Sequence, residues 1–504
     1  MRAMDTKKDF MRLRGRLKEM LQLRSAIALA SWDQEVYMPP AAAESRAAMM
    51  AYLSGEYHQK LLTLDEDGLL SALDTARTKN TLKPKEAAII RELVRDHTLA
   101  MKLPMPFVVE FAEVTSRAQH VWREAKGKND FALFRPWLER IVKLSREKAK
   151  LLGGAKPYDT LIDIYEPGAT SDELSITFEE LKAGLVPLVA KIRDSRMRPA
   201  KAPKGTFPVA DQKRFLDFIC ARVGFDTDSG RLDTATHPFE NAIGPSDVRI
   251  TTRYSETDLW QSIGSVIHEL GHAMYEQGLP AEEAGTPLCE AVSLAVHESQ
   301  SRFWENMVGR DKDTWRFFYP ELKRRFPQNF KDYGPDEWHR YLHVVKPSLI
   351  RTESDEVTYN LHIILRFELE KELIEGTIRV KDLPEIWDQK MQEYLGVKVP
   401  DDAHGVLQDV HWSAGLIGYF PTYTLGNLYS AQLNDAIRRD MPDFDTKLSK
   451  GEFLPIRDWL REKIHRHGRF YSAGELMRRA TGSSLSVQLF LTYLNDTYSK
   501  LYDF

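Results

Sequence analysis

From Phe10 to Ser195, leucine, isoleucine, valine, methionine and alanine recur at three- and four-residue spacings among lysine, glutamate and arginine. That period follows the 3.6-residue helical turn, so the pattern predicts a run of amphipathic helices joined by short loops. Prolines punctuate it at Pro39-Pro40, at Lys83-Pro84, from Pro104 to Pro106 and at Tyr165-Glu166-Pro167-Gly168. Each marks a helix boundary, because proline lacks a backbone N–H and disfavours helix in the residue before it. The sharpest change in composition is Arg196 to Asp211, RMRPAKAPKGTFPVAD, where prolines and positive charges replace the periodic pattern. A lobe boundary is expected there, dividing an N-terminal helical lobe, 1–195, from a second lobe, 196–504, as two domains or as parts of one continuous fold. Val248 to Tyr254, VRITTRY, is rich in β-branched and aromatic residues and is the best strand candidate. Helical periodicity then resumes almost to the end, and no fixed-period repeat suggests a solenoid. The predicted class is mostly α with a small β-sheet.

Composition narrows the partners. With 42% apolar and 29% charged residues, the 504-residue chain reads as an ordinary globular protein, long enough for two to four domains. A net charge of -4 and a pI near 6.4 give no overall electrostatic reason to expect nucleic acid or an anionic membrane, so a peptide or smaller molecule is the expected ligand. Cys220 and Cys289 are the only cysteines and form no CxxC pair, which favours a reducing compartment and inert core thiols. Met1 to Phe10 is charged and lacks a signal peptide's apolar stretch, and no apolar run is long enough to span a bilayer. A cytoplasmic, soluble protein is expected.

The chemistry is concentrated at His268-Glu269-Leu270-Gly271-His272. Helical residues four apart lie within about 40° around the axis, so His268 and His272 can offer imidazole nitrogens to one metal ion. Glu269 then stands beside the metal, placed to take a proton from an activated water and pass it to a leaving group. Ile263, Val266, Ile267 and Leu270 would form the buried side of this helix, and Gly271 would permit close backbone packing. HExxH alone is a moderate signal and needs a third ligand. Glu298, 26 residues past His272 in the helix-like run Val292 to Arg302, supplies a carboxylate of the kind that completes a His₂Glu zinc site. Gly278, Pro280, Gly285 and Pro287 between the two helices suit an antiparallel return. His297 points about 100° away from Glu298 and reads as a supporting residue rather than a ligand. Glu276 reads either as a partner for an imidazole N–H or as a solvated helix residue.

HELGH followed by HESQSR resembles the M32 family of metallocarboxypeptidases, the carboxypeptidase Taq type. Further motifs agree in order: His237-Pro238-Phe239, Asp247-x-Arg249-x-Thr251, Ile350-Arg351-x-x-Ser354-Asp355 and Gly405-x-x-Gln408-Asp409-x-His411-Trp412. Ser354 departs from the family's usual alanine, and Trp32-Asp33-Gln34 with Met38-Pro39-Pro40 extends the likeness toward the N-terminus. The resemblance implies a cytosolic helical homodimer with a deep active-site groove, one wall of it the N-terminal lobe. It implies removal of single C-terminal residues from peptides with a free C-terminus, using zinc, for which cobalt substitutes. His268, His272 and Glu298 are then the metal ligands and Glu269 the general base and acid. Arg249 or Arg351 would bind the terminal carboxylate or limit how far the peptide extends, with His237 and Gln408 as further substrate-binding candidates. His411 would steady the oxyanion or scissile amide, assisted by Tyr423 or, as second choice, Tyr419. The substrate is also expected to add to the VRITTRY strand as a new edge, and the basic run Arg457 to Arg469 either faces solvent or rims the groove. Two rivals stand beside this reading. An oligoendopeptidase with the same HExxH chemistry would not need a free terminal carboxylate, and a metal-stabilised binding protein would bind metal without cleaving.

Overall fold

The computed structural model describes residues 6–197 and 200–504, so Met1 to Asp5 of the N-terminal stretch, and Arg198 and Pro199 of the boundary segment, lie outside the described residues. The helices begin and end where the prolines predict. α1 (Thr6–Val36) stops just before Pro39-Pro40, and α2 (Ala43–Leu62) and α3 (Leu69–Thr78) follow. Pro84 opens α4 (Pro84–Met101) at the first helical position, where its missing N–H costs nothing. These four helices share a compact core that includes Leu13, Leu17, Leu73, Ile89 and Ile90, completed by the distant Leu288.

α5 (Met105–Lys128), α6 (Phe131–Leu152), α7 (Pro157–Ile162) and α8 (Ser171–Asp194) contribute instead to a second, much larger core. The segment from Ser195 to Pro208 is irregular and leads into α9 (Val209–Val223). The large core continues across it, from Phe107 to Tyr502.

β1 (Gly230–Thr234), β2 (Glu240–Gly244) and β3 (Asp247–Thr252) form one sheet in the order β1-β3-β2, with β1 parallel and β2 antiparallel to β3. The predicted strand is therefore central, which corrects the expectation that substrate adds to it: both its edges are already paired. The outer side of β2 is also covered, since Ser25 donates to the Ile243 carbonyl at 2.7 Å and Asn241 to the Ala28 carbonyl at 2.9 Å.

α10 (Leu259–Glu276) packs on this sheet, and α11 (Leu294–Arg302) returns against it and runs into a π turn, Phe303–Val308. α12 (Lys312–Arg325), α13 (Pro335–Leu342), α14 (Tyr359–Glu375) and α15 (Leu383–Leu395) follow. A long irregular segment, 396–420, precedes α16 (Pro421–Asp440). The chain closes with α17 (Phe444–Lys450), α18 (Leu454–Lys463), α19 (Ala473–Thr481) and α20 (Val487–Tyr502). Among the described residues no helix is long and apolar enough to cross a membrane.

Candidate active site

α10 is held by its apolar side: Ile263, Val266, Ile267, Leu270 and Met274 are buried, each worth about 1.5–3 kcal/mol of transfer free energy. His268 and His272 share another face, their ring centroids 5.0 Å apart. Gly271 lies where α11 crosses, and a Cβ there would fall 2.5 Å from both the Gln300 carbonyl oxygen and the Ser301 Cα. Glycine thus lets the two backbones touch. Ser293 caps α11, its hydroxyl accepting from the Val296 N–H at 3.2 Å.

This contact brings the buried Glu298 carboxylate to the histidines, its Oε2 3.4 Å from His272 Nε2 and 3.8 Å from His268 Nε2. One ligating atom from each of the three residues lies within 4.8 Å of the others, the one such grouping found among the described residues. Two imidazoles and one carboxylate match the donor set of a catalytic divalent-metal site. The residues present therefore fit a metal.

The surroundings favour the ligand forms of Glu298 and His272, whereas at His268 burial is outweighed by Glu298, Glu305 and Glu269, which raise the imidazole above its usual value. His268 Nδ1 is 2.8 Å from the Glu305 carboxylate, which leaves Nε2 facing Glu298. Arg302 bridges the two acids, donating to Glu298 at 2.7 Å and to Glu305 at 3.1 Å. Burial works against both carboxylates, but Arg302 and the histidines prevail, holding Glu305 at about 2 and Glu298 well below the usual range. Burial and the neighbouring His297 bring His272 down to about 3, so its imidazole is neutral. His297 is stacked on His272 with centroids 4.4 Å apart and engages Glu276 at 3.1 Å. It is thus a supporting residue, and Glu276 is the partner of an imidazole, that of His297. Burial raises the Glu269 carboxyl to about 7, with His268 opposing and Glu298 and Glu305 reinforcing.

A second charged cluster lies close by. Asp409 accepts from Arg351 Nε at 3.0 Å and Nη2 at 2.9 Å, and from Arg366 Nε at 2.6 Å. One carboxylate against two guanidinium groups leaves one net positive charge. Arg351 Nη1 donates to the Tyr359 hydroxyl at 3.1 Å, and the Arg302 guanidinium lies over the same ring, 4.5 Å from its centroid. One aromatic ring therefore separates Arg351 from the residue that holds Glu298. Gln408 accepts from the Arg351 backbone N–H at 2.9 Å, and its amide donates to the Leu349, His404 and Gly405 carbonyls. His411 Nε2 stands 3.1 Å from the Tyr423 hydroxyl, and Tyr419 packs on Tyr423 at 5.4 Å between centroids. Burial holds His411 neutral, near 4, and raises both tyrosines, to about 12 for Tyr419.

Other predicted residues lie apart from this cluster. Arg249, on β3, is paired bidentately with Asp247 at 2.8 Å and stacked over Trp32 at 4.2 Å. His237 is exposed on the β1–β2 connection. In the basic run Arg457 to Arg469, Arg466 faces solvent as expected, whereas Arg469 is half-buried among Glu92, Asp96 and Glu290, at 2.7, 2.8 and 3.1 Å. Sequence reasoning missed Glu305, Tyr359 and Arg366. A faint signal exists for two of them: Glu305 is seven residues beyond Glu298, two helical turns on, and Arg366 is a lone arginine in the apolar run IILRF.

The model of the family described as carboxypeptidase Taq (M32) metallopeptidase matches residues 12–498. The chain is 42% identical to thermostable carboxypeptidase 1 of Thermus thermophilus, over 96% of this chain and 97% of that protein. It is 41% identical to thermostable carboxypeptidase 1 of Pyrococcus furiosus, over 94% and 95%. Among solved structures, a Pyrococcus furiosus carboxypeptidase superposes with a TM-score of 0.94 at 39% identity, covering 97% of this chain and 99% of that one. The M32 carboxypeptidase of Deinococcus radiodurans gives 0.94 at 37%, covering 99% and 100%.

Proposed function

The chain belongs to the carboxypeptidase Taq (M32) family of metallopeptidases, and on that premise we propose that it is a zinc-dependent carboxypeptidase that releases single residues from peptide C-termini. The observation that carries the reading is the nearness of the His268, His272 and Glu298 donor set to the cationic Arg351–Asp409–Arg366 cluster, joined through Arg302 and Tyr359. A metal site beside an arginine cluster suits a substrate whose scissile bond lies one residue from a free carboxylate.

His268, His272 and Glu298 hold the ion, for which cobalt can stand in. When bound, it supplies Lewis-acid polarisation of the carbonyl and makes water acidic enough to attack near neutral pH. Glu269, raised toward neutrality by burial, takes the proton from the attacking water and returns it to the departing amine. His411 and Tyr423, with Tyr419 as second choice, aim hydrogen-bond donors at the oxygen that becomes negative. Arg351 docks the terminal carboxylate: three of its five N–H groups are engaged by Asp409 and Tyr359, and two remain for a ligand. Gln408 steadies Arg351, and Arg249 and His237 bear on how far the peptide extends. We take the enzyme to act in the cytoplasm as a homodimer, on the family resemblance and the two-cysteine composition.

The test is release of the last residue from an N-blocked short peptide after chelation and titration with zinc. Activity returning at one ion per chain, and failing to return in Glu298→Gln, supports the reading. Undiminished cleavage by the chelated protein refutes it.

A further inference from the structure

His411 and Tyr419 sit on an irregular segment, with no helix or strand to fix them. Their precision must come from whatever grips that segment. α14 does so through two side chains one turn apart. Arg366 binds Asp409, two residues before His411. Glu370, fully buried, grips the rest: Oε1 accepts from the Trp412 indole N–H at 2.9 Å, and Oε2 from the Gly418 backbone N–H at 2.8 Å. The two donors immediately follow His411 and immediately precede Tyr419. A third donor, the Tyr158 hydroxyl of α7, reaches Oε2 at 2.9 Å.

The segment is also pressed down where Glu370 holds it. Gly418 has φ +90°, and a Cβ there would lie 2.8 Å from the Leu161 carbonyl carbon, so glycine alone lets the chain lie flat on α7. Between the two gripped points the segment is closed by its own backbone: the Leu416 N–H donates to the His411 carbonyl at 2.9 Å and the Gly415 N–H to the Trp412 carbonyl at 3.0 Å. Burial lifts the Glu370 carboxyl to about 7, against three hydrogen bonds that all favour its charged, purely accepting form.

We propose that Glu370 is the positioning residue of this segment, setting through Trp412 and Gly418 where His411 and Tyr419 stand relative to the metal ligands. It touches no substrate. The inference rests on the proposed role of His411, and it divides labour along α14: Arg366 acts through Asp409 on Arg351, hence on substrate binding, whereas Glu370 acts on the groups that meet the developing charge.

The test measures kcat and KM of the zinc-loaded full-length enzyme for Glu370→Gln, Trp412→Phe, their double variant and His411→Ala. Glutamine keeps the shape but turns an NH₂ group toward one donor, and phenylalanine removes the indole N–H. Displacement of the segment by a fraction of an ångström is expected to lower kcat by about 10- to 100-fold with KM changed by less than about threefold. The two losses are expected to combine to less than their product in the double variant, because both weaken the hold of the same carboxylate on one segment. If Glu370→Gln does not fold, Trp412→Phe carries the test alone. Unchanged kcat in the folded variants alongside a large loss in His411→Ala overturns the proposal and leaves the function standing. Unchanged kcat in His411→Ala removes the role of His411 and the proposal with it.

Discussion

Glu305→Gln tests whether the carboxylate behind His268 belongs to the metal centre. Glutamine retains an oxygen that can accept from His268 Nδ1, so what is lost is charge rather than the 2.8 Å hydrogen bond. A metal held by His268 Nε2 would stand roughly 7 Å from that carboxylate, one imidazole and one coordination bond beyond it. At that separation a unit charge attracts a dication by roughly 1–5 kcal/mol for effective dielectric constants between about 80 and 20. Neutralising Glu305 also turns Arg302 wholly toward Glu298, which it already contacts at 2.7 Å, and makes that ligand a poorer donor. Substitutions behind metal-bound histidines typically weaken affinity by about 10–100-fold, or roughly 1.4–2.8 kcal/mol, inside the Coulomb range. The assay is competition for zinc against a chromogenic chelator at neutral pH. Against its burial, the Glu305 carboxylate is held at about 2 by Arg302 and His268, so the neutral variant also loses that favourable pairing, and the metal-free protein should melt below the parent at neutral pH. A zinc Kd within about twofold of the parent would refute the reasoning, since neither the charge nor the basicity of His268 would then be felt at the ion.

Glu269→Gln should lower kcat by about 10²–10⁴-fold with zinc still bound, as metal analysis alongside kinetics would show. The same variant carries a pH signature in the metal-free protein. Burial raises the Glu269 carboxyl from 4.5 to about 7, so the native state binds the proton more tightly than the unfolded chain. Parent stability therefore falls as pH rises from 4.5 to 7, and above that window the variant should be the more stable by about 3 kcal/mol, the two converging below 4.5 in denaturant titrations. Asp409→Asn leaves the buried Arg351 and Arg366 without their counter-charge, with an expected loss of about 3–5 kcal/mol in unfolding free energy and a raised KM. Gly271→Ala drives a methyl into the Gln300 carbonyl, costing about 1–3 kcal/mol and parting α10 from α11, which thermal melts with and without zinc would reveal as a reduced metal-induced shift.

The pair of helices that carries the candidate metal ligands was legible because its information is local. Four-residue spacing puts His268 and His272 on one face whatever the rest of the chain does, and Gly271 signalled the crossing that brings Glu298 in. The helix boundaries at Pro39, Pro84 and Pro104 were legible for the same reason. β1 and β2 were not: GRLDT and ENAIG carry glycine, aspartate and asparagine, poor strand formers, and are strands because β3 lies between them. The charge network was legible only in part, because it is tertiary: Asp409 reads as a residue that orients a neighbour such as His411 or Arg351, but nothing local marks Arg366 as its second partner. Arg351, Arg366 and Asp409 come from three segments, so spacing cannot reveal that one carboxylate serves two guanidinium groups. Arg249 and Arg351 read alike as motif arginines, and only the packing separates them: Arg249 pairs with Asp247 and stacks on Trp32, whereas Arg351 reaches the metal side through Tyr359. The edge-strand expectation failed because a six-residue strand says nothing of how many neighbours it has.

In the proposed function a free terminal carboxylate selects the bond to be cut. The most direct measurement compares release of the last residue from an N-blocked short peptide and from its C-terminal amide by the zinc-loaded enzyme, with Glu269→Gln as control. Cleavage of the acid alone, abolished in the variant, is the predicted result. Equal cleavage of acid and amide would contradict it and make the enzyme an endopeptidase.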